Sequence, residues 1–226
     1  MKNPVLYYFD GQGRGEVIRW MLAACGLDFE EVFITSREQY LKMVADGLFL
    51  YQQVPMLEID DMQLVQCGAI LRYLARKGNL YGDDAKEQAM IDMYTDGAQD
   101  MFNSSLGIPF QSTEDARDDM WKKVKEKIFE RFFPVFEKAL QNCKTSCLVG
   151  ARQSMADVLL TAALTSFQAR QHDILDGYPN LQKWFDEQKK IEWIFKFLAP
   201  GSKRKPLPDD KYVNTVCTAL NFQLGL

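Results

Sequence analysis

The chain has 226 residues, 47% hydrophobic and 12% aromatic, enough to bury a substantial core in one domain or in two smaller ones. A formal net charge of −4 argues against the broad basic footprint of a nucleic-acid-binding surface. No apolar run approaches the ~20 residues that insert across a bilayer, and the N-terminus lacks the basic start and apolar block of a secretory signal. Five scattered cysteines (Cys25, Cys67, Cys143, Cys147 and Cys217) suit a reducing compartment better than a disulfide framework, so the expected location is cytoplasmic.

In chain order, Val5 to Phe9 reads as a buried strand. Three alternating glycines follow, Gly11, Gly13 and Gly15. Val17, Trp20, Met21 and Ala24 then recur at helical spacing, and Gly26 is placed to end that helix. Phe29 to Ile34 predicts a second strand, and the next segment reads as irregular. The run VPMLEIDDMQLVQ places two short strands about a turn at Asp60-Asp61. Ile70, Leu71 and Leu74 return to helical spacing. The order is βαβ, an irregular segment, then ββα.

After Gly82 the pattern changes to long amphipathic segments without a convincing strand. In VKEKIFERFFPVFEKAL, Pro134 predicts a kink inside a helix rather than its end. Ser154 and Asp157 form the Ser-x-x-Asp pair of a helix N-terminal cap. The basic run Lys203 to Lys205, between Gly201 and Pro206, reads as a solvated linker. The fold class is therefore a small α/β domain of thioredoxin-like order over residues 1–82, followed by a larger all-α domain over 83–226.

The glycines do not complete a nucleotide motif. The sixth position counted from Gly11 is Glu16 and from Gly13 is Ile18, which breaks the G-x-G-x-x-G pattern, and no Gly-Lys-Ser/Thr triplet occurs. A zinc site lacks ligands at useful spacing, because His172 is the single histidine and Cys143 with Cys147 has no second pair. His172 lies in a polar stretch and reads as a surface residue. A C-x-x-C redox pair is also absent from the βαβ–ββα order that thioredoxin-like redox domains use, so such a domain is free to bind a thiol substrate instead. The Val54-Pro55 pair before the hairpin suits that purpose.

The segments YYFDGQGRGE, LYQQVPMLEID, QLVQ..AIL.YLA, MIDMY, RFFPVFEK, LVG...S.AD and FLAPGSKRKP together resemble the cytosolic glutathione transferases of the alpha class, over essentially the whole chain. That resemblance implies conjugation of reduced glutathione to hydrophobic electrophiles, with glutathione as co-substrate and no metal or other cofactor. It makes Tyr8 the catalytic tyrosine, whose hydroxyl holds the glutathione sulfur as thiolate, and Arg14 the arginine that supports the charge. Gln53, Val54 and Pro55 correspond to residues that hold the tripeptide, and Gln66 and Cys67 to those at its γ-glutamyl end. Asp100 and Arg131 correspond to positions that reach glutathione across a dimer interface.

The chain departs from the family pattern at three places. Cys67 stands where a hydroxyl residue is usual, Gly68 where an arginine is usual, and Val44 where a basic residue meets the glycine carboxylate, with Lys42 a stand-in. Each lost partner costs ~1 to 3 kcal/mol if it leaves a group unpaired, so weaker glutathione binding is expected. A titration against a Cys67→Thr/Val44→Arg variant tests this; equal affinities reject it.

For the second substrate, the resemblance implies an apolar cleft formed by Phe9, Gly11, Leu106, Ile108 and Phe110. Pro208, Tyr212, Val213, Val216, Leu220 and Phe222 complete it from a C-terminal segment spaced for a lid helix. Gly11 leaves room near the sulfur, and Tyr212 either matches the tyrosine that, in members favouring alkenals, polarises the carbonyl of the electrophile or is simply an amphipathic lid residue. Tyr51 matches an aromatic key that enters the partner subunit, where Met93 and Phe136 line its socket. The expected assembly is a homodimer or a heterodimer with a same-class subunit, with no nucleic acid and no membrane insertion. Two alternatives stay open, a ligandin-like carrier of apolar anions and a weakly active transferase-derived structural protein. Ketosteroid isomerase and peroxidase side activities also belong to the family's range.

Overall fold

A computed structural model describes residues 2–141, 143 and 145–224. Strand β1 (Val5–Tyr8) leads through the glycine loop to α1 (Arg14–Ala24), β2 (Glu30–Phe33), α2 (Arg37–Ala45), β3 (Met56–Ile59), β4 (Met62–Val65) and α3 (Cys67–Lys77). The strands form one sheet in the order β2-β1-β3-β4. β1 runs parallel to β2 and antiparallel to β3, which pairs antiparallel with β4. This is a thioredoxin-like domain with a mixed sheet. The β3–β4 turn is the expected one, since Asp60 and Asp61 both adopt left-handed backbone, φ 49° and 60°, as a tight two-residue hairpin requires.

The segment read as irregular holds α2. Its sequence REQYLKMVA buries only Tyr40, so the hydrophobic stripe that betrays most helices is missing. A cap sets its start instead: the Ser36 hydroxyl accepts the Gln39 N–H at 3.1 Å.

The rest is helical, comprising α4 (Ala85–Asn103), a 3-10 turn (Ile108–Phe110), α5 (Glu114–Lys127), α6 (Phe133–Gln141), α7 (Met155–Arg170), α8 (Pro179–Lys189), α9 (Glu192–Leu198) and α10 (Asp210–Leu220). A π-type turn over Ile128–Phe132 joins α5 to α6. It lies directly before Pro134, whose missing N–H and bulky ring cannot continue a regular α-helical ladder, so the helix loosens there instead of stopping. α7 is buried on nearly every side and packs against both α4 and α1, which makes it the central post of the molecule. Its capping box is present as expected: the Asp157 carboxylate accepts from the Ser154 N–H and hydroxyl, each at 2.8 Å.

The basic run near the C-terminus is not a solvated linker. The Lys205 ammonium pairs with Asp10 at 2.7 Å and packs over the Phe33 ring, leaving its side chain 18% exposed. Its backbone N–H donates to the Glu16 carboxylate and its carbonyl accepts from the Gln12 amide at 3.0 Å. Lys203 packs over Phe29 and pairs with Asp28. Apolar stems with charged tips let this strap lie across the N-terminal domain, a use that a charge count does not reveal.

Candidate functional site

Tyr8 ends β1 and is buried beside the glycine loop. Its hydroxyl oxygen accepts the Arg14 N–H at 3.0 Å, from the first residue of α1. Burial pushes the Tyr8 hydroxyl above its ordinary value, while a hydrogen bond from Tyr212 and the one from Arg14 pull the other way. At neutral pH it therefore keeps its proton as a donor.

The glycines are explained by two rings. A Cβ on Gly15 would lie 2.4 Å from the Tyr8 ring, and one on Gly11 would lie 2.2 Å from the Tyr212 ring. Gly13, at φ 120°, lies under both hydroxyls. Expected to be open floor, Gly11 is roofed by Tyr212, and it faces a neighbouring cleft rather than the main cavity.

Beneath the loop is a fully buried Arg19, which the sequence reading did not single out. It donates to the carbonyls of Gly11 at 2.8 Å and Phe9 at 3.1 Å, and to the carboxylates of Glu31 at 2.7 Å and Glu16 at 3.0 Å. One cation thus pins the loop's carbonyls and satisfies two carboxylates, which is how a buried charge becomes tolerable. The sequence signal was the Glu16–Arg19 pair at i,i+3 amid Val17, Ile18 and Trp20, a position where an unpaired charge would be costly.

A cavity of about 360 Å³ opens over Tyr8, and Tyr8, Arg14, Gln53 and Val54 line it from the N-terminal domain. Of the residues named for the second substrate, Phe9, Leu106, Phe110, Pro208 and Tyr212 line the same cavity, as do Val216, Leu220 and Phe222. Ile108 and Val213 are buried in the core behind it. The C-terminal segment forms α10 as the lid, with Tyr212, Val213, Val216 and Ala219 turned inward. The wall also holds Gln12 from the glycine loop, Phe102 and Ser105 at and just after the end of α4, and Ser166, Phe167 and Arg170 from α7, none of them singled out from sequence because separate segments bring them together.

Around the mouth, the Gln66 amide lies 3.5 Å from the Gln53 side-chain oxygen. The Val54-Pro55 bond is cis, and Pro55 is buried. Gln52 and Gln66 hold left-handed backbone at φ 51° and 69°, a conformation unusual for residues with side chains. Cys67 starts α3, its thiol directed at the Arg14 carbonyl at 3.8 Å and pushed up to about 11 by burial. Lys42 does not line the cavity: it is exposed on α2 and paired with Asp46 at 2.7 Å. Asp100 and Arg131 are exposed and do not line the cavity of the single chain. Tyr51 is 60% exposed and Met93 53% exposed, whereas Phe136 is buried to 2% and packs beside Tyr94.

Residues 4–76 match the glutathione S-transferase N-terminal domain and residues 99–201 its C-terminal domain. Glutathione S-transferase 3 of Gallus gallus is 51% identical over 97% of this chain and 96% of its own length. Glutathione S-transferase alpha-4 of Rattus norvegicus is 47% identical over 97% of this chain and 99% of its own. The crystal structure of a glutathione S-transferase from Ascaris lumbricoides superposes with a TM-score of 0.76 at 27% identity, covering 93% of this chain and all of that one. Fold, both family domains in order and near full-length relatives agree: the chain belongs to the alpha class of the glutathione S-transferases and is a transferase.

Proposed function

We propose that the chain adds the sulfur of glutathione to hydrophobic electrophiles, with Tyr8 holding that sulfur as thiolate. The observation that carries this is the Tyr8 hydroxyl, which accepts from the Arg14 N–H while lining the cavity. A hydroxyl has one proton and two lone pairs. With Arg14 occupying a lone pair, the proton is left to donate to sulfur, and the Arg14 side chain adds positive charge at the same wall. A free thiol titrates near ~8.5, and lowering that by ~2 units requires about 2.7 kcal/mol, within reach of one or two charge-assisted hydrogen bonds. The electrophile lies against the apolar wall of Phe9, Phe110 and Val216, where exclusion of water strengthens these interactions.

The test is turnover of a generic electrophile by the native chain and by Tyr8→Phe. The expected result is a loss of about 100-fold in kcat/KM, with the bound thiol titrating ~2 units higher in the variant. Full activity in Tyr8→Phe rejects the mechanism, and absence of turnover in the native chain favours the carrier of apolar anions.

The same reading makes the active protein a dimer in a reducing, cytoplasmic setting. Exposed Leu50, Tyr51, Met93 and Val135, and five free thiols, support it. Tyr51→Ala is expected to shift the assembly toward monomer in sedimentation, because one aromatic anchor can dominate an interface. An unchanged dimer removes Tyr51 from that role.

A further inference from the structure

Two arginines line the cavity, Arg14 beside Tyr8 and Arg170 in the last turn of α7. Arg170 is half-buried. Among the described residues its guanidinium makes one close contact, over the Trp121 ring at 5.5 Å, and neither an ion pair nor a hydrogen bond. Asp118 on α5 is the carboxylate whose field reaches it, but Asp118 is exposed and outside pairing distance. Burial pulls the guanidinium below its ordinary value without threatening its charge at neutral pH. A last-turn cation gains from the helix dipole, yet that gain does not require burial against an apolar cavity.

Ser105, Ser166 and Gln12 on this wall are already engaged. The Ser105 hydroxyl donates to the Phe102 carbonyl at 2.8 Å, the Ser166 hydroxyl to the Ala162 carbonyl at 3.2 Å, and the Gln12 amide to the Lys205 carbonyl at 3.0 Å. Arg170 is thus a planar fork of donors on a cavity wall it shares with Phe102, Phe110 and Phe167, with no anion of its own. Resting on the transferase reading above, we infer that Arg170 sets specificity by receiving the carboxylate of the second substrate, so that the preferred electrophiles are amphipathic acids.

For a 2-alkenal with a terminal carboxylate, the thiolate adds to the β-carbon. The C–S bond forms, the π pair passes to the carbonyl oxygen, and the α-carbon then takes a proton from water. Arg170 binds the far end and is unchanged by the step.

The test pairs such a 2-alkenal with its methyl ester for turnover, and the saturated acid with its methyl ester for binding by calorimetry, in the native chain, Arg170→Gln and Arg170→Lys. The native chain is expected to favour the acids by about tenfold in Kd and in kcat/KM. Arg170→Gln is expected to erase that preference, lowering the acids about tenfold relative to their esters, and Arg170→Lys to restore part of it. Equal native affinity for acid and ester, or an equal loss of both in Arg170→Gln, overturns the assignment. Ester turnover without acid preference leaves the transferase reading standing and removes Arg170. Selective acid binding without any turnover does the reverse.

Discussion

The hydroxyls of Tyr8 and Tyr212 converge over Gly13, each oxygen 2.6 Å from where a Cβ on that glycine would lie. Tyr8 comes from the first strand and Tyr212 from the last helix, so the loop between β1 and α1 is the floor on which both ends of the chain meet. Any side chain at Gly13 must displace one of them, in a backbone conformation that already disfavours side chains.

Gly13→Ala is therefore expected to lower kcat/KM by about 100-fold, the usual effect of displacing a reacting group by ~1 Å. Gly26→Ala is the matched control: it has positive φ too, but nothing within 4 Å of its Cβ. It should cost about 1 kcal/mol in urea unfolding and leave kcat/KM intact. Equal kinetic effects from the two substitutions contradict this account of the loop.

The α10 lid is tied down from α2. Arg37 donates to the Ala219 carbonyl at 3.1 Å, placing a cation at the C-terminal end of the lid helix. Arg37→Ala should release about 1 kcal/mol locally, raising amide exchange in the last turn of α10 roughly fivefold with little change in global unfolding. Unchanged exchange there means that apolar packing alone holds the lid.

Asp157 gives folding a pH dependence. Burial pushes its carboxyl up to about 6, against hydrogen bonds from Leu148 and Ser154. The folded value lies above the ordinary 3.8, so the folded chain binds the proton more tightly than the unfolded one. That stabilisation is complete below about pH 4 and lost as pH rises through about 6. Asp157→Asn should flatten the fall in urea stability across this window, while destabilising by about 1 to 3 kcal/mol at neutral pH through a lost acceptor. Parallel pH profiles for the two chains would exclude Asp157 as the source.

What the sequence disclosed is what short-range rules encode. The β1–loop–α1 turn, the Asp60-Asp61 hairpin and the Ser154/Asp157 cap each depend on residues a few positions apart, and each was readable. Helix α2 was not, because it buries a single side chain and carries no stripe. Resemblance named Tyr8, Arg14 and much of the cavity wall, but not what covers Gly11, since a roof supplied by Tyr212 is a long-range fact. Arg19 and Arg170 were missed for the same reason. A charge looks alike in sequence whether it faces water, a loop carbonyl or an apolar cavity. The Lys203–Lys205 run shows the error directly: the charges of Lys203 and Lys205 are spent on Asp28, Asp10 and Glu31 of the first domain.

That strap bears on the order in which the protein can be finished during synthesis. Glu16 waits for the backbone N–H of Lys205, 189 residues further along, and Gln12 for the carbonyl of the same residue. A ribosome that has released the whole first domain has therefore not yet supplied what closes the loop beneath Tyr8. Tyr8 emerges among the earliest residues, yet its surroundings are completed only when the last helix arrives.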